Sequence, residues 1–196
     1  MKERLGTRPA RSRSIAGISD SIAVPISRST ARIILGVDPS LRGTGYGVIR
    51  ATRSGLEVLA QGTIACPKDL ERSRCLAKIS QTLRALLREH QPEVCVMEGL
   101  FFAQNLKTAI IMGEARGAAL AVVAEAGIDI FEIAPRKVKQ AIVGYGAAQK
   151  LAVAKMVQRM LNLAILPAPD AADALALALA HAAESSRHQL MPPKRI

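Results

Sequence analysis

Four acidic residues stand out in this chain by where they fall. Asp38 closes the apolar run RIILGVD, Glu98 closes VCVME, and Asp170 and Asp173 lie together in PDAADALALALAH. A short apolar run ending in an acid is the pattern of a buried strand whose carboxyl end reaches the sheet edge, where catalytic and ligand groups of α/β sheets gather. Residues three apart stand about 60° from each other around a helix, so Asp170 and Asp173 share a face. If that face lies over the strand ends, four carboxylates converge. Uncompensated they repel one another, and bound divalent cations relieve the repulsion. Clustered carboxylates of this kind hold Mg²⁺ for phosphodiester chemistry.

Charge supplies the second signal. Between Glu132 and Asp170 there is no acidic residue, only Arg136, Lys137, Lys139, Lys150, Lys155 and Arg159. A basic stretch ending in paired carboxylates suits a polyanion on one side and metal on the other, since phosphate contacts supply most nucleic-acid affinity. The formal net charge of +11 over 196 residues says less, because residues 1–30 carry +4 of it and residues 185–196 carry +3. Local distribution carries the argument.

Each acid alone has a plainer reading. Asp38 before Pro39 starts a turn, Asp170 after Pro169 caps a helix, and Glu98 is a solvated strand end. Asp173 resists this, because it opens the apolar run ALALALAHA, where an unpaired acid facing the core is costly. RGTGYG resembles a phosphate loop only superficially, since β-formers rather than a helix follow it, and its glycines read as hairpin glycines. His90, His181 and His188 have no ligand spacing, and His181 reads as structural. Cys66, Cys75 and Cys95 are odd in number and too far apart for a zinc site, which makes them ordinary thiols of a cytosolic protein.

The elements that must position these residues follow from periodicity. RIILGVD, TGYGVIRA and LEVLAQGTIA form a three-stranded meander. Leu76, Ile79, Leu83, Leu86 and Leu87 recur at helical spacing within residues 70–90. VCVME is the next strand. Residues 106–126 form a helix apolar nearly all round, with Gly113, Ala115, Gly117, Ala118 and Ala119 allowing close approach; it is expected to be buried against the sheet and against a partner subunit. DIFEIA is a fifth strand, Pro135 opens a helix in its favoured first position, and Gly144 and Gly146 end it. Two more helices follow, over about 148–163 and after Pro169. The expected fold is α/β, with a mixed five-stranded sheet flanked by helices and an aliphatic core, since the chain has no Trp, two Tyr and three Phe. No stretch is long and apolar enough for a membrane span. Residues 1–31 are expected to be a disordered basic extension or the product of a start assigned too early, residues 32–184 one nuclease domain, and residues 185–196 a flexible basic tail.

In order, ILGVDPSLRGTGYGVI, VCVMEGLFFAQN, GEARGAAL, APRKVKQAIVGYGAAQK and DAADALALALAH resemble the successive motifs of the RuvC-type crossover junction endodeoxyribonucleases, the bacterial Holliday junction resolvases, over about residues 32–182. The resemblance implies a ribonuclease-H-like fold, a cytoplasmic homodimer, a four-way DNA junction as substrate, cooperation with a branch-migration motor complex, and Mg²⁺, two ions per subunit with Mn²⁺ as a substitute. It implies paired nicking of opposed strands by two-metal in-line displacement, leaving 5′-phosphate and 3′-hydroxyl ends. Matched residue by residue, Asp38, Glu98, Asp170 and Asp173 take the metal-binding positions. Phe101 takes that of a junction-contacting aromatic, and Lys139 and Lys150 those of essential lysines; Arg116 is added as a candidate DNA contact. Ser40 and Gly99 depart from the pattern, which commonly has Gly and Gln there. The other classes considered are an actin-like ATPase, for which further Gly-rich phosphate segments are missing, and a catalytically silent DNA-binding module, against which the four intact acids argue.

Overall fold

The computed structural model describes residues 31–99, 105–186 and 194–196. Three strands open it: β1 (Arg32–Asp38), β2 (Gly43–Thr52) and β3 (Gly55–Ala65). Helix α1 (Arg72–His90), strand β4 (Val94–Glu98), helix α2 (Leu106–Glu125) and strand β5 (Asp129–Ile133) follow. Helices α3 (Pro135–Val143), α4 (Lys150–Met160) and α5 (Pro169–Ser186) complete the body, and a short strand β6 (Lys194–Arg195) comes last. The sheet order is β3-β2-β1-β4-β5-β6. β1, β4 and β5 run parallel, while β2 and β3 are an antiparallel meander on one side.

Among the described residues the sheet therefore has six strands where five were expected. Lys194 and Arg195 pair antiparallel with Glu132 and Phe131, and the Arg195 guanidinium meets Asp129. This covers edge groups of β5 that would otherwise lack partners. Two residues following a Pro pair carry no periodicity, so nothing in the sequence marked them as a strand. Residues 1–30 lie outside the described residues.

Strand alternation divides the core into two halves. Leu35, Val37, Cys95 and Met97 face α1 and α2, meeting Ile79, Leu83, Val122 and Val123. Ile34, Val94 and Val96 point the other way, into a core with Val138, Val157, Leu175 and Leu179 from α3, α4 and α5. Asp38 and Glu98 continue that second register, two residues beyond Gly36 and Val96. Both acids thus emerge on the α5 side of the sheet.

Glycines set how closely α5 approaches. Gly43, Gly45 and Gly47 alternate along β2 on the α5 face, and Gly36 pairs with Gly47 across the ladder. A Cβ at Gly36 would stand 2.0 Å from the Ala174 carbonyl oxygen, and one at Gly45 would stand 2.0 Å from that of Asp170. These are not hairpin glycines. They strip one face of the sheet so that the α5 backbone lies directly on it, which fixes Asp170 beside Asp38, the ladder partner of Gly45. Gly36→Ala is expected to destabilise the protein by about 3 kcal/mol, because both clashing groups are backbone and neither rotates away. Urea unfolding measures this; a loss under 1 kcal/mol would mean that α5 shifts freely over the sheet.

The far end of α5 carries His181, 3% exposed, its ring 4.8 Å from that of Phe131. Neither ring nitrogen has a hydrogen-bond partner among the described residues. Burial, helped by the positive charge of Arg32, lowers its pKa to about 4. The unfolded chain therefore takes up this proton first, and His181 removes stability as pH falls from about 6.5 toward 4, at roughly 1.4 kcal/mol per pH unit. The stability difference between His181→Leu and the unaltered protein should move in favour of the variant across that window. A difference independent of pH would show that His181 is not held neutral.

Candidate active site

The four acids meet where β1 and β4 end and α5 begins. All four are half-buried, so each keeps an open side toward solvent. Asp38, Pro39, Glu98 and Arg116 line one cleft, and Glu98, Lys139 and Asp173 line a second beside it. Asp170 lies in the first turn of α5, one residue inside Pro169, and the Ala172 amide donates to the Ala168 carbonyl. It is therefore not the capping residue. Its carboxylate faces the β2 strand, where a Cβ on Gly43 would come within 2.8 Å of its Oδ2.

Crowding is visible in the acids' proton affinities. Burial, then the charge of Asp173, raises the Asp38 pKa to about 6, with Lys150 opposing and Asp170 adding a little. Burial, then Asp38 and Asp173, raises Glu98 to about 7, with Lys150 and Lys139 opposing. Each shift corresponds to roughly 3 kcal/mol of unfavourable charge at neutral pH. Such cost concentrates at functional sites.

Lysine partly offsets it. The Lys150 ammonium, at the start of α4, donates to Asp173 Oδ2 at 2.8 Å, and that hydrogen bond raises the lysine's own pKa. Lys139 projects from α3 toward Glu98. Lys139 and Lys150, two of the four lysines of the acid-free stretch, thus reach the acids from adjacent helices.

Among the described residues, no three His, Cys, Asp or Glu side chains are close enough to hold an ion as they stand. The donor chemistry nonetheless fits a divalent cation. Hard carboxylate oxygens, half-open to solvent and mutually repelling, are the ligands Mg²⁺ takes, and in their present arrangement a lysine supplies the counter-charge.

Two expectations end differently. Phe101 lies outside the described residues. Arg116 was expected at the DNA, but its side chain is 7% exposed and committed: one nitrogen donates to the Glu98 carbonyl and another to Glu132 Oε2 at 2.8 Å. Sequence reasoning also passed over Glu132 itself, which had only marked where the acid-free stretch begins.

The sequence matches the profile of crossover junction endodeoxyribonuclease RuvC over residues 34–181. It is 46% identical to the enzyme of that name from Syntrophomonas wolfei over 149 residues, covering 76% of this chain and 87% of the relative. The chain belongs to the RuvC family. The RuvC of Bordetella avium is 43% identical over 160 residues, covering 82% and 88%. The structure of T. thermophilus RuvC in complex with Holliday junction substrate superposes with a TM-score of 0.76 at 30% identity, covering 84% of this chain and 99% of that one. The fold is thus the ribonuclease-H-like fold of RuvC, and the chain is an endonuclease acting on DNA, in a family of metal-dependent nucleases. Among the described residues, no helix is long and apolar enough to cross a membrane.

Proposed function

We propose that this protein resolves four-way DNA junctions in recombination and repair, using Mg²⁺ held by Asp38, Glu98, Asp170 and Asp173. The observation that carries the reading is the convergence of these acids at one sheet edge with Lys139 and Lys150 beside them. Bound there, two magnesium ions would acidify water and neutralise charge on the scissile phosphate and the leaving 3′ oxygen. The chain's own part is to hold four carboxylates in register, two from strand ends and two from a helix pressed onto glycines. Lys139 and Lys150 add positive charge where the phosphodiester becomes most negative. Partial burial lowers the local dielectric and strengthens each of these contacts. Hydrolysis on this plan leaves 5′-phosphate and 3′-hydroxyl ends. Phe101, just beyond Glu98, contacts the junction on this reading, and the protein works in the cytoplasm alongside a branch-migration motor.

Paired nicking calls for a homodimer, and α2 supports one. Leu106 is 76% and Ile110 50% exposed. With Gly113, Gly117 and Ala121 they recur at three- and four-residue intervals, an apolar outer stripe opposite the buried Ala115, Ala119 and Val122. Among the described residues, nothing lies within 4 Å of a Cβ built at Gly113 or Gly117, so a second helix has room to approach. Gly117→Arg should therefore leave each subunit folded and shift the protein to a monomer in light scattering, with paired cuts becoming single nicks. A persistent dimer would move the interface elsewhere.

The substrate is tested by incubating the protein with a synthetic four-way junction, a matched linear duplex and a single strand, with and without Mg²⁺. Symmetric nicks in the junction alone, and only with metal, are expected. Equal cutting of the duplex would reduce the protein to a non-selective nuclease.

A further inference from the structure

We infer that the buried Arg116 and the half-buried Glu132 form a positioning pair that holds Glu98 in place from the opposite side of the sheet and so tunes how tightly the acid site binds a divalent cation. The inference rests on the nuclease reading of that site. Glu98 emerges on the α5 face, but Glu132 does not. It is the ladder partner of Met97, which lies in the core formed with α1 and α2, and it shares that face with Ile130. Arg116 comes down from α2 on the same side. Its guanidinium spans two targets, the Glu132 carboxylate at 2.8 Å and the Glu98 main-chain carbonyl.

A guanidinium this deeply buried is costly unless paired, and a paired one is commonly no more stabilising than apolar side chains of the same volume. Stability alone therefore gives little reason for the pair. Position gives a better one. Glu98 ends its strand, and its carboxylate is pressed by the like charges of Asp38 and Asp173. On this view a strand end so pressed needs an anchor beyond the ladder bond from the Gly99 amide to the Ile133 carbonyl. Arg116 supplies that anchor at the carbonyl, and the fixed fork of its guanidinium transmits the position of Glu132 to Glu98.

Gly99 completes the arrangement. Its amide donates to the Ile133 carbonyl at 2.9 Å, and a Cβ on it would stand 3.0 Å from Glu132 Oε1 and 3.3 Å from Glu132 Cγ. The departure from the family pattern at this position thus coincides with the space the Glu132 carboxylate uses. Arg116 is on this view a positioning residue, acting through Glu98 rather than on DNA.

The test compares the unaltered protein with Glu132→Gln, Arg116→Ala, Arg116→Lys and Gly99→Ala. Mg²⁺ binding is read by titration calorimetry, and single-turnover junction cleavage is followed across a Mg²⁺ series. Junction affinity in EDTA and the melting temperature complete the set. Glu132→Gln should need about tenfold more Mg²⁺ in both metal readouts, with junction affinity within twofold of the unaltered protein. Arg116→Lys should recover part of what Arg116→Ala loses, and Gly99→Ala, which keeps every charge, should shift the metal requirement in the same direction by less. Unchanged Mg²⁺ affinity in Glu132→Gln would overturn the inference; if that variant does not fold, unchanged affinity in Gly99→Ala overturns it instead. An unaltered protein that binds Mg²⁺ but cuts no junction would defeat the nuclease reading, while calorimetry would still decide the pair.

Discussion

Asp38→Asn should bind a four-way junction and fail to cut it, with the single-turnover rate falling at least about 10³-fold, equivalent to some 4 kcal/mol of transition-state stabilisation. The substitution keeps volume and shape while removing one carboxylate from a set whose other members have no spare charge. It should also make the metal-free protein more stable. Asp38 is held near pH 6 by burial and by Asp173, so at neutral pH its ionised form costs the fold free energy that Asn does not. A gain of about 1–3 kcal/mol in EDTA is expected, the lower end allowing for the buried amide's own polar cost. Added Mg²⁺ should raise the melting temperature of the unaltered protein, because a ligand that binds only the folded state stabilises it, and should raise that of Asp38→Asn far less. Loss of activity with loss of stability would instead mark Asp38 as structural. Cleavage near the unaltered rate would remove it from the site.

Much of this site was legible because strands and helices write their geometry into sequence period. Asp38 and Glu98 each close an apolar run, and alternation by two then puts both on the face toward α5. The spacing of Asp170 and Asp173 likewise places them on one helical face. What could not be read was contact between distant segments. The glycines of RGTGYG look like turn residues because a turn is the commonest local use of glycine. Their role under α5 depends on a helix more than a hundred residues later.

Arg116 and Glu132 were opaque for a related reason. A charged residue in an apolar helix and an acid within a strand each have an ordinary solvated reading. Only the fold shows that they meet beneath Glu98. The sixth strand escaped notice because two residues hold no period, and its existence depends on an edge of β5 that needs covering.

Lys150 separates a stabilising contact from a catalytic one. Its side chain is 73% exposed and, among the described residues, makes one ion pair, to Asp173 at 2.8 Å. Exposed pairs of this kind contribute little to stability, so Lys150→Ala should lower it by less than about 1 kcal/mol. Its effect on chemistry should be far larger. A cation set among carboxylates stands where a phosphate must enter, and the charge it adds is worth most when the scissile group is most negative. The single-turnover rate at saturating junction should therefore fall about 10²-fold. Metal affinity should hold or improve, because the variant removes a cation that competes for Asp173; this is the opposite of what Asp38→Asn does. A contact made equally before and during the reaction would instead weaken binding and flatten its salt dependence by about one unit of slope. Cleavage by Lys150→Ala over a salt series, with Lys139→Ala alongside, distinguishes these cases. Unaltered rates and salt slopes in both variants would mean that neither lysine touches the DNA, leaving Lys150 as a surface counter-charge to Asp173.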